Sequence, residues 1–121
     1  GDGKPHTVKK LDTLMAGLCC GTPSIIAWDI IKQTADYFVI CDDGIALDAM
    51  KQMAEKKSDD QSIVSGESGA VTTGIIEKIC SNPKYSNYLD VLGLDDSSSI
   101  FCISTEGDTN PDLYNQALGR Q

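Results

Sequence analysis

Two short stretches decide how this chain is organised: GESGA at residues 66–70 and FCISTEGD at residues 101–108. Each is a turn of small residues that carries hydroxyl and carboxylate side chains. The first opens a predicted helix, and the second closes a predicted apolar strand. Open α/β sheets bind ligands where strands end and helices begin. We therefore expect the two stretches to form two halves of one site.

Helical periodicity precedes the first stretch. Apolar residues within 46–54 recur with the three- and four-residue spacing of an amphipathic helix. An earlier helix is predicted from the cap Thr22 and from Pro23 at the first helical position. Because isoleucine and other apolar residues cover most of the 25–31 surface, this earlier helix is predicted to be largely buried.

Three more helices are predicted further along the chain, at residues 71–79, 85–92 and 113–118. The breaker Asn82-Pro83 separates the first two, and Asn110-Pro111 caps the last.

Residues 37–41 and 100–104 form short, β-prone apolar runs that are typical of strands buried on both faces. The resulting order of helices and strands indicates an α/β protein with a mainly parallel sheet flanked by helices. An independent sheet usually has about four to six strands. We therefore expect residues 1–121 to be a single fragment of a larger domain.

The composition argues against nucleic-acid binding and against a membrane-spanning segment. With 18 acidic residues against 10 basic ones, the net charge of −8 repels phosphate backbones and argues against nucleic-acid binding. No apolar run approaches the roughly 20 residues that span a bilayer. The sequence thus predicts a soluble, cytoplasmic protein without a membrane partner.

Five cysteines lack any Cys-x-x-Cys spacing, and we expect reduced, mainly buried thiols. The adjacent pair Cys19-Cys20 and the lone His6 do not supply the ligand set of a zinc site, so no metal is expected.

The residue types of the two stretches allow a functional and a structural interpretation. Ser104 and Thr105 place neutral hydroxyl donors at the end of a predicted strand, but they also suit simple loop capping. Glu67 stands at a helix start, where the helix dipole favours an anion, and it suits either a site or a plain first-turn carboxylate. Ser68 and Gly69 fit both interpretations. Spacing alone leaves these alternatives open.

Three ordered motifs carry a family resemblance: MAGLCCGTP at residues 15–23, VSGESGA at 64–70 and ISTEGD at 103–108. Together they resemble the carboxyl-terminal third of the diaminopropionate ammonia-lyase family. That family belongs to the fold type II, or tryptophan synthase β, group of pyridoxal-phosphate enzymes. The resemblance covers nearly the whole chain.

The resemblance implies that this chain is the carboxyl-terminal part of the larger, pyridoxal-phosphate-binding domain. It places Ser104 against the pyridine nitrogen, with Thr105 as the alternative donor. It also implies further cofactor-lining residues, namely Glu67, Ser68, Gly69, Ala16 and Gly17. The family's Schiff-base lysine motif and glycine-rich phosphate loop are missing from this sequence. No catalytic residue is therefore expected in this chain, and the isolated chain is expected to be inactive.

For the full enzyme, the resemblance implies α,β-elimination of 2,3-diaminopropionate to pyruvate and ammonia. Its partners would be the amino-acid substrate, the remainder of the same polypeptide and a second copy in a homodimer. Two alternatives remain. One is another fold type II lyase, similar to threonine or serine dehydratases, and the other is a non-catalytic α/β binding or regulatory module.

Overall fold

A computed structural model describes residues 4–55 and 60–120. Within these ranges the α-helices are α1 (Ile25–Thr34), α2 (Asp43–Ala54), α3 (Glu67–Ser81), α4 (Ser86–Leu92) and α5 (Pro111–Ala117). Short 3₁₀ turns span Ala16–Leu18 and Pro83–Tyr85. The helices predicted after residue 45 are confirmed, with boundaries shifted by a few residues. The polar exit predicted after α2, at residues 56–59, lies outside the described residues.

The core lies where α2 packs against α3. Met50 of α2 is fully buried, and Ala49 beside it shares one apolar cluster with Ala70 of α3. A glycine makes this approach possible, since a Cβ atom built at Gly74 would lie 2.8 Å from both the Ala49 Cβ and the Ile45 carbonyl oxygen. The amphipathic pattern of residues 46–54 predicted a helix with one buried face, and α2 has this face.

Helix α5 packs against α2 through the buried Tyr114, which belongs to the same apolar cluster as Met50 and Ala70. The Asn110 side chain accepts a hydrogen bond from the Leu113 amide at 3.2 Å, which confirms the predicted cap. Beyond the last turn, Gly119 has a φ of +66°, the left-handed conformation that glycine adopts most easily.

The prediction for α1 is wrong in two respects. The helix begins at Ile25, and its cap is Ser24, whose hydroxyl accepts from the Ala27 amide at 3.3 Å. Its isoleucines are exposed, with Ile26 80% exposed, because α1 packs against no other helix in the described part of the chain. The exposed Lys32–Asp29 ion pair, at 2.6 Å, adds little stability.

The predicted sheet is not confirmed, because neither residues 37–41 nor residues 100–104 form a strand in the described ranges. No backbone hydrogen bond joins either segment to another described residue. The side chains are correspondingly exposed, and Ile40 is 98% exposed. A β-ladder requires a neighbouring strand, so an apolar sequence preference alone does not create one.

The thiols are free, as expected, but they are not mainly buried. Cys20 and Cys80 are exposed, and the other three are half-buried. Burial raises the pKa of the Cys41 thiol, and the nearby Asp42 and Asp43 carboxylates raise it further. Among the described residues, no cluster of three or more His, Cys, Asp or Glu side chains has the arrangement of a metal site. None of the described helices combines the length and the apolar character needed to cross a membrane.

The close approach at Gly74 generates a stability prediction. Gly74→Ala should lower the free energy of unfolding by about 1–2 kcal/mol, because overpacking outweighs the better helix propensity of alanine. Gly44→Ala, on α2, is the matched control, since a Cβ at that position meets no atom within 4 Å. The control should be neutral or stabilising by up to ~1 kcal/mol. Urea unfolding followed by circular dichroism measures both changes, and equal effects of the two variants would contradict the packing argument.

Candidate functional site

Hydrogen bonds join three turns that are far apart in the sequence. The Gly17 amide donates to the Ser68 hydroxyl at 2.9 Å, and the Ser68 amide donates to the Glu106 carboxylate at 2.7 Å. The Gly66 amide donates to the Glu106 carbonyl at 3.1 Å. We call residues 15–18, 65–69 and 104–107 the three-turn cluster. The predicted proximity of the two opening stretches is therefore confirmed, with the 15–18 turn as a third member.

Glu106 provides the anion at the N-terminus of α3. The first amides of a helix have no partner within the helix, and the helix dipole favours a negative charge beside them. Here the carboxylate of a remote turn accepts from one of those amides, at Ser68. The chain thus supplies a carboxylate from a remote turn at this helix start, in addition to Glu67, the first-turn carboxylate that was considered from the sequence.

A pair of hydroxyls lies beside this helix start. The Ser65 and Ser104 Oγ atoms are 2.8 Å apart, and the Ser104 hydroxyl is also 3.4 Å from the Glu106 carbonyl oxygen. Ser65 is completely buried, whereas Ser104 is exposed. The pair therefore has one anchored member and one member that is accessible to a ligand.

Glu67 differs from Glu106, the other carboxylate of the cluster. It is the first residue of α3, and only 4% of its surface is exposed. None of the described residues has a buried side-chain oxygen or nitrogen atom that lacks a hydrogen-bond partner. The Glu67 carboxylate is therefore not an enclosed group left unsatisfied by the described chain.

An open cleft of about 1060 Å³ adjoins the cluster. Met15, Ser68 and Thr105 contribute to its lining, whereas Ser104 does not. Much of the remaining wall comes from residues 39–43 and 100–103. The two segments that were predicted to be strands therefore face a shared cleft lined largely by apolar side chains.

Asp43, the first residue of α2, holds the segment that leads into the 15–18 turn. Its carboxylate accepts from the Thr13 hydroxyl and, at 2.8 Å, from the Leu14 amide. These two hydrogen bonds, that from Thr13 first, lower the pKa of the Asp43 carboxyl. Met15, which follows Leu14 in the chain, is buried against Ala46 and Val71.

The geometry can be compared with known proteins. No protein-family model matches the chain. Diaminopropionate ammonia-lyase of Salmonella typhimurium is 42% identical over 115 residues, which cover 93% of this chain and 28% of that enzyme. The Escherichia coli K12 enzyme is 35% identical over 106 residues, covering 88% of this chain and 27% of its own length. The chain is homologous to the carboxyl-terminal part of diaminopropionate ammonia-lyase.

Solved structures agree with the sequence comparison. The Escherichia coli diaminopropionate ammonia-lyase in complex with an aminoacrylate-PLP azomethine reaction intermediate superposes with a TM-score of 0.83 and 34% identity, over 89% of this chain and 28% of that one. The same enzyme in complex with D-serine gives a TM-score of 0.80 over 85% of this chain and 26% of that one. The expected resemblance and the fold type II class are confirmed, and this chain spans little more than a quarter of the relatives that it matches.

All of the predicted site residues lie in or beside the three-turn cluster of this part of the diaminopropionate ammonia-lyase fold. Gly17, Ser68 and Ser104 take part in the hydrogen bonds of the cluster, and Glu67 is a buried residue of its 65–69 turn. The others are in or beside the cluster: Ala16 in the 3₁₀ turn, Gly69 under the hydroxyl pair and Thr105 on the cleft.

Ser65 and Glu106, whose side chains form hydrogen bonds in the cluster, were not selected from the sequence. Ser65 precedes the GESGA stretch and Glu106 follows Thr105, so both lie within the motifs VSGESGA and ISTEGD. Their roles depend on contacts that are remote in sequence, with the Ser104 hydroxyl for Ser65 and with the Ser68 amide for Glu106. The sequence offered one signal for Glu106. It is a carboxylate in the turn after a predicted strand, and the start of α3 lacks its own capping side chain.

The Asp43 contacts generate a pH prediction. A carboxyl whose folded pKa is lowered stabilises the fold above its unfolded pKa of about 3.9, and this contribution is lost as the pH falls through the folded value. Asp43→Asn should therefore lower the urea midpoint at pH 7, and its difference from the wild type should shrink below about pH 4. Asp48→Asn, an exposed change on the same helix, should leave the midpoint unchanged at both pH values. A pH-independent loss in Asp43→Asn would contradict this account.

Proposed function

We propose that the protein to which this chain belongs is a pyridoxal-phosphate-dependent ammonia-lyase. Its reaction would convert 2,3-diaminopropionate and one water molecule to pyruvate and two molecules of ammonia. The observation that carries the proposal is the convergence of the Ser104, Glu67 and Gly17 turns in a chain 42% identical to diaminopropionate ammonia-lyase. Since the chain spans 28% of that relative, the activity is proposed for the whole protein only.

The residues present fit one end of the cofactor, the pyridine ring. Ser104 offers an exposed neutral hydroxyl, and Glu67 offers a carboxylate at the first position of α3, on a residue that is 4% exposed. The three-turn cluster contains no lysine, and its helix N-terminus already holds Glu106. Bound pyridoxal phosphate supplies an electron sink for removing the α-proton of an amino acid. The lysine and the phosphate-binding loop would come from other parts of the polypeptide.

Ser104 would donate a hydrogen bond to the pyridine nitrogen. A serine hydroxyl carries no charge, so it does not hold this nitrogen in its protonated form as a carboxylate would. Thr105 remains the alternative donor, because it carries a second neutral hydroxyl directly beside Ser104. Glu67, Ser68 and Gly69 would line the edge of the ring.

The turn at Ala16 and Gly17 would lie close to the ring. The hydrogen bond from the Gly17 amide to the Ser68 hydroxyl holds this turn against the start of α3. A Cβ atom at Gly17 would lie 2.9 Å from the Ser68 Oγ, so the two turns approach as closely as a glycine allows. A side chain at position 17 would require the Ser68 side chain to move.

The cleft would hold strands from the remainder of the polypeptide. Residues 37–41 and 100–104 are largely apolar, lie outside any helix and are free of backbone hydrogen bonds to other described residues. Exposed backbone of this kind is a template for strand pairing. We infer that residues 1–121 complete the larger, cofactor-binding domain by adding these two segments to its sheet. A homodimeric assembly and a cytoplasmic location remain predictions.

A second candidate function is dehydration of serine-like amino acids. It is favoured by the complex of the Escherichia coli enzyme with D-serine. The two candidates differ in the group that leaves the β-carbon, an amine in one case and a hydroxyl in the other. Parallel assays of pyruvate release from 2,3-diaminopropionate and from D- and L-serine distinguish them. A turnover restricted to serine would reject the primary proposal.

Ser104→Ala in the full-length enzyme tests the pyridine contact. Loss of a buried hydrogen bond costs about 1–3 kcal/mol, so cofactor affinity or turnover should fall by roughly tenfold to a hundredfold. Cofactor titration by absorbance and pyruvate release measure the two quantities.

Thr105→Ala is the matched control for Ser104→Ala, because Ser104 pairs with Ser65 whereas Thr105 lines the cleft, so the two side chains have different surroundings. It should leave both quantities nearly unchanged. The reverse result would move the pyridine contact to Thr105, and two silent variants would remove the contact from this turn.

Strand addition predicts complementation between two separately expressed pieces. Residues 1–121, combined with the upstream part of the enzyme, should restore pyruvate formation. Ile40→Asp should abolish that restoration, because a buried charge in a sheet is strongly unfavourable. Asn87→Asp, an exposed change near the start of α4, should restore activity like the wild type. Equal restoration by both variants would show that residues 37–41 are not buried by the partner piece.

A further inference from the structure

We propose that Ser65 is a positioning residue that sets the direction of the Ser104 hydroxyl. In this arrangement Ser65 donates its proton to the Ser104 oxygen, and Ser104 is thereby free to donate its own proton to the pyridine nitrogen. The inference deepens the proposed function and rests on it, since it assigns a role to a residue that acts through Ser104.

The contacts of the pair support this assignment. The Ser65–Ser104 distance of 2.8 Å is that of a well-formed hydrogen bond between hydroxyls. The other contacts of the two oxygens are longer, at 3.4 Å from Ser65 to the Gly66 carbonyl and 3.4 Å from Ser104 to the Glu106 carbonyl. The short contact therefore dominates the orientation of both hydroxyls.

Counting protons defines the available states. Each hydroxyl has one proton to donate, and only one of the two can occupy the short contact. If Ser104 donates to Ser65, Ser104 presents only lone pairs to a ligand and repels an unprotonated ring nitrogen. If Ser65 donates to Ser104, the Ser104 proton is available for that nitrogen. An unprotonated ring therefore selects Ser65 as the donor.

The packing around the pair holds both oxygens in place. Ser65 is 0% exposed, so water does not compete for its proton. A Cβ atom at Gly69 would lie 2.6 Å from the Ser65 oxygen and 3.1 Å from the Ser104 oxygen. Gly69 thus leaves room for the pair, because a side chain at this position would press against both oxygens.

A double-mutant cycle in the full-length holoenzyme tests the proposal. Ser65→Ala should weaken pyridoxal-phosphate binding by roughly threefold to tenfold, the effect of losing one neutral hydrogen bond. If Ser65 acts through Ser104, the double variant should bind the cofactor as weakly as Ser104→Ala alone, because coupled residues are not additive. Ser98→Ala, whose hydroxyl contacts Asp95 in a separate loop, is the control and should have no effect.

The NMR chemical shift of an isotope-labelled pyridine nitrogen is a second measurement. This shift would not change if Ser65 had a purely structural role. Ser65→Ala should shift it in the same direction as Ser104→Ala, and Ser65→Cys, which retains a weak donor of similar size, should restore part of the shift. Additive binding losses with an unchanged nitrogen shift in Ser65→Ala would overturn the role of Ser65. An unchanged shift in Ser104→Ala would instead overturn the pyridine contact, and with it the basis of the proposed function.

Discussion

The close contact between α2 and α3 at Gly74 is the constraint on which the rest of the described structure depends. Because position 74 has no side chain, the Ala49 methyl and the Ile45 carbonyl lie directly against α3. The candidate site is attached to both helices. The N-terminus of α3 begins within the three-turn cluster, and the N-terminus of α2 holds the neighbouring 13–15 segment through Asp43. A shift of one helix along the other would separate these turns.

Local features of the fold were predictable from the sequence. The spacing of Ala46, Ala49 and Met50 predicted the buried face of α2, and Asn110 predicted the start of α5. Such signals depend on residues within one or two helical turns. The start of α1 was misplaced by about two residues because Thr22 and Ser24 are both suitable caps, and only Ser24 reaches a free amide.

Longer-range features were not predictable in the same way. Burial of α1 and pairing of residues 37–41 require partners, and the described chain provides neither. In the candidate site, the motifs indicated which turns would meet. They did not indicate that Glu106 would reach the Ser68 amide or that Ser65 would pair with Ser104, since both contacts depend on side-chain directions across 38 and 39 residues of sequence. The choice between Ser104 and Thr105 also stayed open for this reason.

The Glu106 carboxylate that bridges to α3 has a consequence for the order in which a site of this kind is assembled. The hydrogen bonds that align the three turns are formed between residues of this chain alone. The conformational entropy of the turns is therefore lost when this segment folds, and little of it remains to be lost when a ligand arrives. In that sense the three-turn cluster is preorganised, because the hydrogen bonds that align it need no residue from outside the described chain.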